Sequence, residues 1–281
     1  MPIARPSEPA LFQVTDVFVP PDSLALDFDG VICNGLAEYF QTAWKTYRQH
    51  WANPIERPES DIRDGFYELR PVIETGWEMP VLVRALLADT DREAILTDWV
   101  NVRDRIVAED NIEPPALAVA LDRLRDRWIE DDLDDWLALH TFYPGTIERL
   151  KAWNEAGIDW WIVTTKEGRF AQQLLAERGI EIELGDRLFG KEVGRPKYQT
   201  LRELRYERRI NHRLRRIWFV EDRLKTLQAV DREADLGDIE LFFADWGYST
   251  PHERGESALA SSRIHPISIS KFCGALRGWL A

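Results

Sequence analysis

The sequence predicts an α/β fold in which a parallel β-sheet is covered by helices on both faces. The first observation is a set of short segments that are apolar almost throughout: SLALDFD (residues 23–29), IDWWIVTT (158–165), RIWFVED (216–222) and IELFFADWG (239–247). Strands of this kind are typical of a parallel sheet that is buried on both faces. The second observation is that segments of helical periodicity alternate with these strands, as in a Rossmann-like, three-layer core.

The helical segments between the strands are short. In RFAQQLLAERG, after the second strand, Phe170, Leu174 and Leu175 recur at helical spacing, and Gly179 suits a C-terminal cap. RLKTLQAV follows the third strand, and TIERLKAWNEAG precedes the second. These segments predict the helices of the outer layers.

A different pattern separates the first strand from the second. Residues 34–142 contain little that resembles a buried strand but much 3.6-residue periodicity. In LAEYFQTAWKTY the apolar residues share one helical stripe: Leu36, Phe40, Ala43, Trp44 and Tyr47. PVLVRALL and ALAVALDRLRDRWI are also typical of helices, and TFYPG (141–145) is predicted to lead back to the sheet. We therefore predict a core formed by residues 1–33 and 143–281, and a mostly helical domain formed by residues 34–142.

Composition limits the classes of function. The chain has 281 residues, of which 44% are hydrophobic, so it can form one large or two modest domains. Its net charge of −13 predicts that it repels nucleic acid and anionic membranes. We interpret the basic segment RELRYERRINHRLRR (202–216) as a solvated helix and loop because few aromatic residues are interleaved with it. The acidic segment IEDDLDDW (129–136) is interpreted as a solvated helix face.

The sequence also predicts a location. Its apolar segments are far shorter than the roughly 20 residues that span a bilayer. The segment MPIARPSEPALFQVTD lacks the charged and apolar parts of a secretory signal. The two cysteines, Cys33 and Cys273, have no metal-ligand spacing and are too few for a disulfide scaffold. We expect a cytoplasmic protein with neither a membrane nor a nucleic-acid partner.

Polar residues follow the predicted strands at their carboxyl ends, where ligands bind in open α/β sheets. Asp27 and Asp29 flank Phe28, so both carboxylates are expected on the same face. Such a pair repels itself unless a metal ion or a proton lies between the two groups. The other polar residues at this edge are Thr164, Thr165, Lys166, Lys191, Lys197, Glu221 and Asp222.

These residue types together suit phosphoryl transfer. An aspartate can attack phosphorus to form an aspartyl-phosphate, and a second acid can protonate the leaving oxygen and then deprotonate water. Mg²⁺ bound by carboxylate oxygens would offset the repulsion between carboxylates and phosphate. A lysine and a hydroxyl would neutralise and hydrogen-bond the phosphoryl oxygens. The sequence contains a candidate for each part.

Four motifs, in this order at predicted strand ends, resemble the haloacid dehalogenase superfamily: DFDGV, IVTTK, GRPKYQTL and FVEDR. The resemblance covers residues 22–33 and 143–273, and the helical segment directly after the first motif resembles that family's first type of cap domain. It implies a Mg²⁺-dependent phosphohydrolase of a small phosphorylated metabolite, acting through an aspartyl-phosphate.

The resemblance implies roles for individual residues. Asp27 matches the nucleophile, which is also a metal ligand. Asp29 matches the general acid/base, whose backbone carbonyl also binds the metal. Thr164 matches the hydroxyl of the second motif, with Thr165 as the alternative. Asp222 matches a direct Mg²⁺ ligand.

The lysine of the third motif stays open among three residues. Lys197 fits best because the apolar Leu201, four residues later, begins the helix expected behind it. Lys191 competes for this assignment. Arg195 also aligns with the position, and its guanidinium would hold phosphate with a different geometry.

The fourth motif departs from the commonest form of the family. Glu221 either joins the metal site, directly or through water, or pairs with a cation. Thr226 stands where many relatives have a further aspartate, so we expect a lower affinity for Mg²⁺. ADWGYS resembles a turn at the rim of the site, where Gly247 would let the chain approach closely.

In this family the cap selects the substrate. The segment FYELRPVIETGWEMP (66–80) contains four residues with two interpretations: Arg70, Glu74, Trp77 and Glu78. They either bind the non-phosphate part of a substrate or pack the cap and end its helices.

Alternatives to the phosphohydrolase are a catalytically weak binding or assembly protein, which the missing acid at Thr226 favours, and a phosphomutase. Dehalogenation needs neither a metal nor a second aspartate, so Asp29 and Asp222 argue against it. The sequence predicts neither the substrate nor the oligomeric state.

Overall fold

Six parallel strands form the central sheet of the computed structural model, which describes residues 18–52, 60–207 and 214–280. In chain order the described strands are β1 (Ser23–Leu26), β2 (Cys33–Asn34), β3 (Thr141–Phe142), β4 (Asp159–Val163), β5 (Leu188–Phe189), β6 (Ile217–Glu221), β7 (Glu240–Ala244) and β8 (Ile264–Ile267). The sheet has the order β5-β4-β1-β6-β7-β8, and β2 and β3 form a separate ribbon. The predicted α/β fold with a parallel sheet is confirmed.

Both faces of the sheet are buried. Successive side chains of a strand point to opposite faces, so neighbouring residues enter different apolar clusters. Trp160 packs in the apolar cluster of one face with Leu24, whereas Trp161 packs in the cluster of the other face with Ala25 and Phe219. Neither tryptophan is more than 2% exposed. The continuous apolar character of these strands therefore reflects helices on both sides.

All four predicted strands occur, each shorter than its predicted segment, and two edge strands of the sheet were not predicted. The prediction extended the first strand to Asp29, but β1 ends at Leu26. The N–H of Asp27 nevertheless donates to the carbonyl of Val220 on β6 at 2.9 Å. The edge strands β5 and β8 were not predicted, because β5 has two residues and β8 contains Pro266, which lacks a donor.

Six helices of the described chain lie between β2 and β3: α1 (Leu36–His50), α2 (Ser60–Leu69), α3 (Glu78–Leu87), α4 (Arg92–Glu109), α5 (Pro114–Asp131) and α6 (Leu133–Ala138). They enclose an apolar cluster that includes Phe40, Phe66 and Leu82. The antiparallel ribbon pairs Cys33 with Phe142, so the chain leaves and rejoins the sheet at one place. The division into two domains at this ribbon stays a prediction.

A buried ion pair joins two of these helices. Glu38 on α1 is fully buried, and its carboxylate accepts hydrogen bonds from Arg125 Nε at 2.7 Å and Thr42 Oγ1 at 2.6 Å. Trp136 Nε1 on α6 donates to the same carboxylate at 3.2 Å. Although burial raises the pKa of Glu38, the Arg125 guanidinium outweighs it and lowers the pKa to about 2. Glu38 is therefore charged in the folded protein at neutral pH.

The remaining helices alternate with the strands of the sheet: α7 (Thr146–Glu155), α8 (Gly168–Ala176), α9 (Lys197–Glu207), α10 (Leu224–Asp231), α11 (Pro251–Ala260) and α12 (Ile269–Cys273). On α8 the predicted stripe is buried. After α8 the chain turns at Gly179, whose φ of +72° favours glycine.

The acids of the acidic segment are exposed, whereas the described arginines of the basic segment are half-buried or, at Arg205, buried. Within the acidic segment, Asp132 separates α5 from α6 and caps α6 by accepting the N–H of Asp135. Within the basic segment, Arg202 pairs with Glu233 and Asp235 at 2.6 Å. Residues 208–213 of that segment lie outside the described residues. In the described part of the chain, no helix is long and apolar enough to cross a membrane.

Candidate active site

A cavity of about 400 Å³ lies at the carboxyl ends of β1 and β6, and we call it the catalytic cavity. Its walls include residues from distant parts of the chain: Asp27, Asp29, Thr165, Lys197, Glu221, Asp222, Thr226 and Tyr248. Phe28 packs in the core with no exposed surface. The structure thus brings both aspartates of DFDG to one cavity although β1 has already ended, while Phe28 points away.

Asp27 is 6% exposed and lines this cavity. One oxygen, Oδ1, accepts the N–H of Phe28 at 2.7 Å, and Oδ2 lies 2.8 Å from Lys197 Nζ. Burial and the nearby carboxylate of Glu221 raise the pKa of Asp27 to about 7, against the opposing charge of Lys197. A further cation in the cavity would therefore stabilise the charged form of Asp27.

Lys197 is the basic residue of its segment that contacts Asp27. Its Nζ lies 2.6 Å from Glu221 Oε2 as well as 2.8 Å from Asp27. Burial lowers its pKa, but the two carboxylates outweigh burial and raise the pKa above its usual value. Lys191 instead pairs with Asp122 at 3.6 Å with its side chain 58% exposed.

Arg195, the third candidate for the lysine position, is also directed elsewhere. Its guanidinium donates to Glu203 at 2.6 Å and to Thr200 at 3.0 Å. It is absent from the walls of the catalytic cavity, whereas Lys197 begins α9 directly at the cavity.

Three buried acids form a group that suits a metal ion. Asp27, Glu221 and Asp222 each present an oxygen within 4.8 Å of the others. Burial and the charge of Asp27 raise the pKa of Asp222 to about 6, and burial also raises the pKa of Glu221. One lysine does not neutralise three carboxylates, and carboxylate oxygens are the ligands that a hard divalent cation prefers. The donor set therefore fits a hard divalent cation.

Glu221 is the least available of the three acids. Its Oε2 accepts from Lys197 Nζ, and its Oε1 accepts the N–H of Arg223 at 3.1 Å. Of the two interpretations left open by the sequence, this geometry favours a carboxylate that pairs with a cation.

Asp29 lies beside the three acids but has a different partner. Both of its oxygens are 3.3 Å from Lys166 Nζ, whose side chain is 8% exposed. The buried Tyr39 of α1 also contacts this group, with its hydroxyl bonded to Asp29 and its ring 5.4 Å from Lys166 Nζ. The two aspartates of DFDG are thus held by separate lysines.

The two threonines after β4 occupy different positions. Thr164 is 5% exposed, and its Oγ1 accepts the N–H of Lys166 at 3.2 Å. It lines a smaller cavity of about 170 Å³ together with Lys197, whereas Thr165 lines both that cavity and the catalytic cavity. The geometry leaves the hydroxyl of the second motif open between Thr164 and the alternative, Thr165.

Comparison with known families agrees with this arrangement. The family model of haloacid dehalogenase-like hydrolases matches residues 21–230 of the chain. The chain belongs to this family. The match includes all four motifs and the helices between the first and the second motif. A search of curated proteins finds no significant match.

Solved structures share the fold of this haloacid dehalogenase-like hydrolase. A "predicted phosphatase" from Clostridium acetobutylicum has 14% sequence identity and a TM-score of 0.52, covering 91% of this chain and 97% of its own. A "predicted phosphoglycolate phosphatase" from Haemophilus somnus has 14% identity and a TM-score of 0.52, covering 82% of this chain and 88% of its own. The likeness extends over both the sheet and the helices that cover it.

Tyr248, for which no role was predicted, holds the side chain of Asp222 in place. The N–H of Tyr248 donates to Asp222 Oδ2 at 2.6 Å, and the Tyr248 hydroxyl accepts the N–H of Gly35 at 2.7 Å. A Cβ at Gly30 or at Gly247 would overlap the side chain of Asp222. The expectation that Gly247 permits a close approach is therefore confirmed, and its neighbour Tyr248 links Asp222 to the start of α1.

Replacing Gly247 with alanine is expected to lower the free energy of unfolding by about 1–3 kcal/mol, since a Cβ there overlaps both Asp222 and the backbone carbonyl of Gly30. Urea unfolding measures this loss. Gly255→Ala is the matched control, because that glycine lies in α11 with open space around it. Equal stabilities of the two variants would contradict the close approach at Gly247.

The four candidate residues of segment 66–80 separate into two groups. Arg70, Glu74 and Trp77 line a cavity between the helices that connect β2 to β3 and the carboxyl end of the sheet. Glu78 is instead 2% exposed and accepts hydrogen bonds from Trp99 Nε1 and Thr75 Oγ1, both at 2.7 Å. Glu78 therefore has the packing role that the sequence offered as one interpretation.

Proposed function

We propose that this hydrolase is a Mg²⁺-dependent phosphohydrolase of a small phosphorylated metabolite and acts through an aspartyl-phosphate on Asp27. The observation that carries the proposal is the contact of Lys197 Nζ with both Asp27 and Glu221, which line one cavity together with Asp222. Two structures with the same fold are named as predicted phosphatases, which agrees with this reaction.

The first half of the reaction uses both aspartates of DFDG. A carboxylate oxygen of Asp27 attacks phosphorus, and the bond between phosphorus and the ester oxygen breaks. Asp29 donates a proton to that oxygen, so the alcohol leaves uncharged. Lys197 holds Asp27 in place and neutralises a phosphoryl oxygen as negative charge spreads over it.

The second half returns the enzyme to its starting state. Asp29, now a carboxylate, takes a proton from a water molecule, which attacks phosphorus. The bond between phosphorus and Asp27 breaks, and inorganic phosphate is released. Lys166, which contacts both oxygens of Asp29, keeps that carboxylate oriented through the proton transfers.

The cluster of three buried acids, Asp27, Glu221 and Asp222, supports Mg²⁺ as the metal ion of the proposed reaction. Asp27 and Asp222 would hold the ion, with the backbone carbonyl of Asp29 as a further ligand by family resemblance, and Glu221 would act mainly through Lys197. When bound, Mg²⁺ would neutralise carboxylate and phosphate charge and orient the phosphoryl group. Because Thr226 lines the cavity in place of a further acid, we expect weaker Mg²⁺ binding than with a fourth carboxylate.

The proposal includes parts that rest mainly on the sequence. Residues 34–142 would form a cap that covers the catalytic cavity, and residues 1–33 and 143–281 would form the core. We also propose a cytoplasmic location and no nucleic-acid partner, which the two cysteines and the net charge of −13 support.

Activity towards a panel of phosphate monoesters tests the proposal. We expect phosphate release with Mg²⁺ and none after chelation, with re-addition of the ion restoring the rate. Acid quenching during turnover should leave a phosphate adduct on the peptide that contains Asp27, detectable by mass spectrometry. Protein that releases no phosphate, yet binds Mg²⁺ and phosphate, would favour the binding protein. Turnover without an adduct would contradict the aspartyl-phosphate.

A further inference from the structure

A second cavity opens beside the catalytic cavity on the side of the cap helices. It has a volume of about 460 Å³, and we call it the cap chamber. The two cavities share five wall residues: Asp29, Tyr39, Arg70, Glu74 and Thr165. The cap chamber adds apolar and aromatic walls: Trp77, Met79, Leu121 and Phe170. Its size and mixed walls are typical of a small-molecule site.

The residues that line each cavity indicate how a substrate would be oriented. Asp27, Lys197 and Asp222 line the catalytic cavity and are absent from the cap chamber, whereas Asp29 lines both. In the proposed reaction the phosphoryl group lies at Asp27 and the ester oxygen lies at Asp29. The alcohol part of the substrate therefore extends from Asp29 into the cap chamber.

Most charged side chains of the cap chamber are neutralised by a neighbour. Each of these contacts joins one acid and one base: Arg125 with Glu38, Lys166 with Asp29, Lys191 with Asp122, Glu74 with Lys225, and Glu167 with Arg169. Among the described residues, Arg70 is the cation of this chamber that contacts no carboxylate. It carries an unbalanced positive charge at the boundary between the two cavities.

Arg70 is also held in a fixed place. Its guanidinium carbon lies 4.9 Å from the centre of the Tyr39 ring and 5.3 Å from that of Tyr248. Its Nη1 donates to the carbonyl of Ile73 at 3.2 Å, and its Nε is buried without a partner in the described structure. A partly desolvated, oriented cation without a counter-ion is suited to bind an anionic group of a ligand.

We propose that Arg70 is the residue that determines specificity, by binding a carboxylate on the alcohol part of the substrate. This inference rests on the proposed function and adds the class of substrate: a phosphate monoester of a carboxylate-bearing alcohol. A singly charged carboxylate fits better than a second phosphate, because Arg70 is one cation and the other charged side chains of the cap chamber are already paired.

Two matched esters test the proposal: phenyl phosphate and para-carboxyphenyl phosphate. Their kcat/KM values are measured for the wild type, Arg70→Met and Arg70→Lys. Loss of a charge-assisted contact is expected to lower kcat/KM by about 10- to 100-fold more for the carboxylate ester than for the neutral one. This double ratio cancels the difference in leaving-group reactivity. Arg70→Lys should recover part of the difference, since it restores the charge.

Arg63→Met is the control variant, since Arg63 lies on α2, is 49% exposed and lines neither cavity. It should leave both values unchanged. An equal loss for both esters in Arg70→Met, or no effect of that change, would overturn the proposal.

Binding separates this proposal from the proposed function. Calorimetry with Asp27→Asn protein, with and without Arg70→Met, measures the affinity for each ester without turnover. Tighter binding of the carboxylate ester that depends on Arg70 would support the role of Arg70 even if the wild type hydrolyses neither ester. Equal affinity for the two esters would overturn that role even if both are hydrolysed.

Discussion

Asp27→Asn protein is expected to hydrolyse phosphate monoesters at least about 10³-fold more slowly than the wild type. The amide oxygen is a poor nucleophile, whereas the shape of the side chain and its contact with Phe28 N–H are preserved. The change also removes one of three clustered carboxylates and so reduces their mutual repulsion. We therefore expect the variant to fold. Phosphate release measures the rate, and circular dichroism with thermal unfolding verifies the fold.

Asp29→Asn is the matched control for this result, because it removes a carboxylate of the same cavity with a different proposed role. Loss of general acid catalysis typically costs about 10²–10⁴-fold, and less when the leaving group needs no proton. Asp29→Asn should therefore slow an alkyl ester more than a para-nitrophenyl ester, whereas Asp27→Asn should slow both equally. Near-normal activity of Asp27→Asn, or the same leaving-group dependence in both variants, would refute the roles.

Glu38→Gln is expected to lower the free energy of unfolding by about 3 kcal/mol at neutral pH. The change leaves the guanidinium of Arg125, 15% exposed, without the buried carboxylate that it contacts at 2.7 Å, and its remaining acidic neighbour is Asp122 at 3.9 Å. Chemical denaturation measures the loss. Glu68→Gln is the control, because Glu68 also pairs with an arginine at 2.7 Å but is 52% exposed, so we expect a change within about 1 kcal/mol.

The dependence of this loss on pH follows from the pKa of Glu38, which is about 2 in the folded protein and 4.5 ordinarily. A carboxylate with a lowered pKa stabilises the fold fully above its ordinary pKa, and the contribution disappears as pH falls towards the folded pKa. The difference between wild type and Glu38→Gln should therefore be constant above about pH 5.5 and shrink between pH 4.5 and 2. A difference that stays constant over this lower range would show that the charge is not responsible.

The strands that carry the candidate site are predictable because burial on both faces leaves a local signature. Trp160 and Trp161 are adjacent in sequence and enter opposite faces, so an unbroken apolar run marks the strand. The edge strands β5 and β8 lack this signature, because they are short or contain proline. Asp27 and Asp222 directly follow or end such runs, which is why the acids of the site were found.

Residues brought to the site by tertiary contacts carry no such signature. Lys191 and Lys197 lie in the same basic segment, so their sequence surroundings do not tell them apart. Lys197 contacts Asp27 because it begins α9 beside the ends of β1 and β6, whereas Lys191 contacts Asp122. Tyr248 lies in the turn after β7 and contacts Asp222, and Arg70 lies between β2 and β3 and packs on the Tyr248 ring. No neighbouring residue in the sequence links either of them to the acids of the site.

Apolar runs and helical periodicity predict the parallel sheet, the helices inserted after its first strand and the acidic residues at the strand ends. These features depend on the local alternation of apolar and polar residues, which each segment carries alone. Tertiary contacts establish that Lys197 is the cation beside Asp27 and that Glu221 pairs with this lysine. They also place Arg70, without a carboxylate partner among the described residues, between two cavities. Such facts depend on distances between segments far apart in the chain, which no local pattern specifies.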